Sequence, residues 1–311
     1  MKKKKTQIKT KKNAKYYKKM VARIIVYFIL TVVGFVYLEP ILEMLAKTLM
    51  SAEDVIDPSV TWIPKKPSLE NLSFAATVLK LGTTLKNSIL FAGALAIGQT
   101  FVASLTGFAL SRYAFKGRKF FFAMLILAFI IPVPVLMVPR MMMFVVAQES
   151  LKFQLIGTVW PQLLMAFFGQ GVYSTVLVLI FYTAFNMIPR VLDEAAEIDG
   201  ASALKVYWFI VIKMSATTIL VVFLFSFVWN WNETYITSTL LRGNLELLPS
   251  KLTLFNSEFD SVSKAVGGAF KLNEAFKMSA TLISISPLLL LYAFVQKWFI
   301  QGIENTGITG E

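Results

Sequence analysis

Six long apolar runs constrain this chain more than any other feature. They cover about residues 24–46, 85–111, 119–146, 157–187, 214–241 and 276–300. A helix needs about 20 apolar residues to cross a bilayer core roughly 30 Å thick, where each backbone amide must be bonded within its own segment. Every run meets that length, so the sequence predicts an all-α integral membrane protein with six transmembrane helices. Two runs are punctuated. Glu39-Pro40 marks a lipid boundary or a kink in the first, and Gly169-Gln170-Gly171 predicts a bend or two helical pieces in the fourth.

Charge bears on orientation rather than on nucleic acid. The net charge is +13, but residues 1–23 hold eleven Lys or Arg and no acid, leaving 20 basic against 18 acidic residues elsewhere. A basic tail abutting the first apolar run predicts a cytoplasmic amino terminus; binding of anionic lipid or RNA is the alternative use of such a tail. The run from Ile24 to about Leu45 exceeds a signal-peptide core of roughly 7–15 residues and no convincing A-x-A site follows, so it is expected to stay as an anchor. The chain then divides into a tail, 1–23, and a single transmembrane domain, 24–311. By alternation the turn with Arg112, Lys116, Arg118 and Lys119 falls inside, as do residues 188–213 and the segment after Lys297. Residues 47–84, 147–156 and 242–275 fall outside.

The chain has no histidine and no cysteine. Thiol nucleophiles, imidazole acid–base chemistry and Cys/His zinc sites are thereby excluded. No G-x-x-x-x-G-K-[ST] pattern is present either, so ATP binding by a P-loop is not expected. The sequence points to a chain without catalytic residues, metal or cofactor of its own.

The peptide Val191-Leu192-Asp193-Glu194-Ala195-Ala196-Glu197-Ile198-Asp199-Gly200 lies between the fourth and fifth runs. Pro189 suits a helix start, Asp193 and Glu194 sit at its positive amino end, and Gly200 is a natural stop. Leu192, Ala195, Ala196 and Asp199 share one face at i, i+3, i+4, i+7 spacing. Two alanines there offer a small surface that another backbone could approach closely. On pattern alone, an ordinary amphipathic connector explains the peptide as well.

Glu194-Ala195-Ala196 followed by Asp199-Gly200-Ala201-Ser202 resembles the EAA signature of permease subunits of binding-protein-dependent ABC importers. The likeness extends over most of the chain and is similar to the carbohydrate type, the second permease of maltose-like systems with a MetI-like fold. It rests on Asn87-Ser88, on Ser111-Arg112-Tyr113-Ala114-Phe115-Lys116-Gly117-Arg118, on Ile188-Pro189, on Trp231-Asn232-Glu233 and on the ending Gln296-Lys297-Trp298-Phe299-Ile300-Gln301-Gly302. There is one departure. The family carries Ile-x-Leu-Pro downstream of the glycine, and that proline falls on Lys213 within Ile210-Val211-Ile212-Lys213. Without it the chain is free to stay helical into the fifth span, so a sharp break there is not required.

The resemblance implies a transport subunit, not an enzyme, in a bacterial cell membrane with both termini cytoplasmic. Its partners would be a second homologous permease, an ATP-binding subunit dimer holding ATP and Mg, an extracytoplasmic solute-binding protein and a sugar substrate. Glu194, Ala195, Ala196, Asp199 and Gly200 would form the coupling helix that docks on the ATPase. Spans three to five of the two permeases would rock about a central cavity.

Three further features are candidates for the pathway. Trp229-Asn230-Trp231-Asn232-Glu233 is the most polar stretch within a span, and such groups suggest a cavity or a partner contact; aromatic faces with amide and carboxylate groups suit a sugar, while an interfacial anchor or a helix-to-helix contact is the plainer use. Pro132, Pro134 and Pro139 predict a kink or gate in span three, or simply a shaped helix. The outer loop 242–275 would touch the binding protein or act as a lid. An ABC importer for a non-sugar solute is the nearest alternative. An autonomous secondary transporter or a membrane enzyme would instead need charged or catalytic residues at mid-membrane in several spans, and such candidates are sparse here.

Overall fold

The computed structural model describes residues 2–268 and 270–303, with side chains for 18–268 and 270–298. The basic side chains before Lys18, the last four side chains of the Gln296–Gly302 ending and the carboxyl-terminal residues 304–311 lie outside the described set. All regular structure among the described residues is helical. The chain groups into two compact units, Met1–Ala75 with Lys271–Leu282, and Ala76–Phe270 with Ile283–Glu311.

In the first unit, α1 (Lys2–Thr48) runs unbroken through Pro40. Its apolar stretch from Lys18 to Thr48 is long enough to cross a membrane, and none of that window is buried. An apolar helix exposed on all sides suits lipid. At its end the chain folds into a cap of α2 (Ala52–Ile56) and the start of α3 (Glu70–Val78). Buried Asn71 closes the cap by donating Nδ2 to the carbonyls of Thr48 (3.2 Å) and Met50 (2.7 Å).

The second unit is built around α4 (Leu81–Arg112), a helix of 32 residues, which packs against α7 (Trp160–Phe167), α8 (Ser174–Met187) and α12 (Ala216–Asn232). Close approach of α4 and α8 depends on Gly107: a Cβ there would stand 2.7 Å from the Phe181 Cβ and 3.1 Å from the Tyr182 nitrogen. Phe108, Phe181, Phe185, Tyr207 and Val222 fill the core beside this contact. Buried Gln99 ties three elements together. Its Oε1 accepts from Ser226 Oγ and from Asn230 Nδ2 (2.7 Å), and its Nε2 donates to the Val172 carbonyl (3.1 Å) and Ser174 Oγ (3.3 Å). Four bonds on one amide satisfy its full capacity, which is what an apolar interior demands.

Among the described residues, three helices are long and apolar enough to span a membrane: Lys18–Thr48, α4, and Glu274–Trp298 within α16 (Glu274–Ile303). Counting each of three bent pairs as one span, 118–130 with 133–151, 174–187 with 191–198 and 203–214 with 216–232, brings the number up to six. The stretch 119–146 holds α5 (Arg118–Ile130) and α6 (Val133–Leu151), set at 105°. The break follows from Pro132, which forces Ile131 into extended geometry (ψ 122°) and itself caps α6. The stretch 157–187 falls into α7 and α8, parted at Gly169-Gln170-Gly171 as the sequence led one to expect. Likewise 214–241 holds α12 and a separate α13 (Tyr235–Leu241), whose first turn is held by the Glu233 carboxylate accepting from the Ile236 amide.

The freedom to stay helical past Lys213 is not used. Residues 203–214 form one rod, comprising α10 (Ala203–Val206), a π-helical turn at Tyr207–Val211 and α11 (Ile212–Met214), and it meets α12 at 83°. The corner is buried Ser215 (φ −109°, ψ 22°), two residues beyond the position where a proline would stand. Its amide is shared between the Val211 and Ile212 carbonyls, and its own carbonyl accepts from Ile219. Tertiary anchoring explains a corner without proline. The Tyr207 hydroxyl meets Ser104 Oγ at 2.6 Å, fixing the rod to α4 before α12 begins.

Candidate functional site

The helix that carries the Glu-Ala-Ala peptide is α9 (Val191–Ile198), turned 76° from α8. None of its residues is buried, and Val191, Leu192 and Ile198 are exposed although apolar. Gly200 ends it with φ +81°, in the left-handed region, and a Cβ there would meet nothing within 4 Å. The glycine is therefore required by backbone geometry rather than by crowding.

Two contacts hold α9 at its base. Arg112, at the end of α4, reaches Asp193 at 3.2 Å, with side chains 4% and 14% exposed. Arg190 donates Nη2 to the Ser111 carbonyl at 3.4 Å. Burial, together with Glu197 and Asp193 nearby, holds the Tyr113 phenol above its ordinary range, so it stays neutral around physiological pH. Ala195 faces outward, but Ala196 packs against the core formed by Phe108, Phe185 and Tyr207. The outward surface carries exposed Ala195, flanked by Leu192, Glu194, Ile198 and Asp199, with Ala196 partly exposed beside it.

The proline set and the glycine interruption meet at a cavity of about 1000 Å³. Its wall includes Pro132 and Pro134, the break residues Gly169–Thr175, and Arg140 on α6. Pro139 lies within α6 and leaves the Val135 carbonyl without its i+4 amide partner. Arg140 escaped the sequence reading, although a lone arginine inside an apolar run was a usable signal.

The polar run 229–233 is dispersed. Asn230 is buried and engaged with Gln99, while exposed Asn232 donates to the Val228 carbonyl. Asn230, Trp231 and Glu233 line a pocket of only about 10 Å³, room for roughly one water. These residues hold helices together and do not open a sugar-sized space within the chain. Trp229 alone approaches the cavity, packing edge-on against the Tyr173 ring at 5.0 Å between centroids. Among the described residues no group of three or more Asp or Glu side chains is placed to hold a metal ion.

The family described as the inner membrane component of binding-protein-dependent transport systems matches residues 99–305, from the middle of α4 to the end of α16. The chain belongs to that family. The match takes in α9, the cavity and the Gln99 network together. Relatives include the sn-glycerol-3-phosphate transport system permease protein UgpE of Yersinia pestis bv. Antiqua (strain Antiqua), 27% identical over 225 residues that cover 72% of this chain and 73% of that one. The arabinooligosaccharides transport system permease protein AraQ of Halalkalibacterium halodurans is 23% identical over 282 residues, covering 89% and 93%. Among solved structures, a bacterial ABC transporter involved in import of the acidic polysaccharide alginate superposes with a TM-score of 0.68 at 18% identity, covering 90% of this chain and 96% of that one. At that identity the superposition speaks for the fold alone.

Proposed function

We propose that this chain is a permease subunit through which a sugar or oligosaccharide enters the cell, and that α9 transmits the stroke of a cytoplasmic ATPase. The observation that carries the reading is α9 itself: a helix with no fully buried residue, apolar at Val191, Leu192 and Ile198, yet held at its base by the largely shielded side-chain pair Arg112–Asp193. A helix kept exposed and fixed has the properties of a docking surface. Glu194, Ala195, Asp199 and Gly200 belong to that surface or to its end.

In this reading residues 24–311 act as one permease domain and 1–23 as a tail at the cytoplasmic face, with both termini on that side. The chain pairs with a homologous permease, a dimer of ATP-binding subunits that supply ATP and Mg, and an extracytoplasmic binding protein. ATP closes the ATPase dimer, the two coupling helices move with it, and the permeases change which side of the membrane their cavity faces. The names of the relatives, for arabinooligosaccharides and for sn-glycerol-3-phosphate, support a small polyhydroxylated solute.

Purification of the chain from its native membrane tests this directly. An ATPase and a second permease are expected to accompany it. Replacing Glu194 by Ala or Gly200 by Val should lower solute-stimulated ATP hydrolysis while the complex still assembles. Isolation without any ATPase, or unchanged uptake by both variants, would overturn the proposal.

A further inference from the structure

Arg140 is placed as no other cation in the spans is. It sits eight residues into α6, is half-buried, and faces the 1000 Å³ cavity. Its one polar contact is neutral: Nη2 donates to Gln170 Oε1 at 3.2 Å. Gln170 lies in the break between α7 and α8, ten residues from the start of α7 and seventeen from the end of α8. Among the described residues no carboxylate is in ion-pair reach of Arg140. The acid on its own helix, Glu149, is nine residues on, about 13.5 Å along the axis.

A guanidinium within a membrane-spanning segment is costly, faces water or a cavity by default, and marks a solute or ion path. It also carries five N–H donors in a flat fork that matches a carboxylate or phosphate, and one donor nitrogen here is engaged. A neutral sugar filling the cavity would displace the water that solvates this charge and supply nothing to balance it. An anionic sugar would balance it through paired charge-assisted bonds. The same wall offers the sugar body a surface: the exposed Tyr173 ring, backed by Trp229.

We propose that the cavity takes solutes bearing a carboxylate or phosphate, and that Arg140, steadied by Gln170, is the residue that receives this group. The inference rests on the importer reading above and narrows its substrate to acidic or phosphorylated sugars. Arg140 then sets specificity, since a neutral analogue leaves the guanidinium unpaired.

The test uses the complete importer with its binding protein in lipid vesicles, supplied with ATP and one mixture of neutral, uronate-bearing and phosphorylated mono- to tetrasaccharides. Internal solutes are read by mass spectrometry. Uronates or sugar phosphates should accumulate and their neutral counterparts should not, the two anionic arms telling which group is taken. Arg140→Gln should lower that uptake at least about tenfold, and Arg140→Lys should restore part of it, with partner subunits still bound in both. Accumulation of neutral sugars by the unaltered importer overturns the inference and leaves the importer reading standing. So does loss of the partner permease in Arg140→Gln without selectivity for anions, which makes the arginine an interface residue. No ATP-dependent accumulation of any sugar overturns both.

Discussion

Removing the Asp193 carboxylate tests whether α9 is held or merely present. The pair meets through one contact, Arg112 Nη1 to Asp193 Oδ2 at 3.2 Å, so its favourable part is about that of one charge-assisted hydrogen bond, ~1.5–3 kcal/mol. What remains after Asp193→Ala matters more. The Arg112 side chain is 4% exposed, its Nε and Nη2 have no hydrogen-bond partner, and Arg190 adds like charge beside it. Breaking a buried pair from one side costs about 3–5 kcal/mol. Asp193 is 14% exposed and its Oδ1 is unpartnered, so the bridge is not ideally made, and the low end, ~3 kcal/mol, applies. That corresponds to roughly a 150-fold rise in the local opening of α9. Hydrogen exchange of amides 189–201 in lipid nanodiscs reads this opening. Asp193→Leu combined with Arg112→Met should recover most of the loss, because no charge is left stranded. A rise of less than about threefold in Asp193→Ala, or a double variant as open as the sum of the singles, would refute the reasoning.

Gly200→Asn should be milder than Gly200→Val, whose branched side chain adds about 1–2 kcal/mol of backbone strain at φ +81° without any clash; solute-stimulated ATPase activity of the assembled complex should fall in that order. Gly107→Ala forces a Cβ to 2.7 Å from that of Phe181 and should cost about 1–3 kcal/mol, seen as a lower unfolding temperature in detergent. The loop after α13 should be pinned only in a middle pH window. Hydrogen bonding from Lys80, and less so from Lys251, lowers Glu246, so its stabilisation is complete above the usual carboxylate pKa of about 4.3 and is lost as pH falls through the depressed value. For Lys251 burial works against the charge, but hydrogen bonds to Glu258 and Glu246 prevail and raise it, so its share is lost only as pH rises through that raised value. Protection factors of the Leu248–Thr253 amides, with each rate taken relative to the intrinsic exchange rate at that pH, should therefore fall at both extremes and stay high between about pH 5 and 10.

The sequence revealed length and punctuation well, because both are local. Apolar runs of helical length, the glycine break at 169–171 and the stop at Gly200 all appear where backbone chemistry puts them. The direction of side chains was less legible. Ala195 and Ala196 look equivalent in the peptide, yet Ala195 is exposed and Ala196 is partly buried against the neighbouring core. The polar run 229–233 looked like a site because its residues are costly in lipid; Gln99, 131 positions before Asn230, explains that cost structurally. The corner at Ser215 had no proline to announce it, since it depends on Tyr207 finding Ser104 across 103 residues. Pairings at such separation are properties of the packed chain and leave no mark in a local pattern.

The Gln99 amide has a mechanical consequence. By bonding Ser226, Asn230, Val172 and Ser174 at once, it clamps α4, the start of α8 and the end of α12 into one stiff block. Bending within that block would strip several bonds from a single buried group, whereas α5 and α6 meet through the extended link at Ile131-Pro132 and are tied to the block by isolated bonds, among them those from Thr175 to the Leu125 carbonyl and from Arg140 to Gln170. The joint at Ile131-Pro132 is thus held by fewer bonds than the block, beside the cavity wall that carries Arg140.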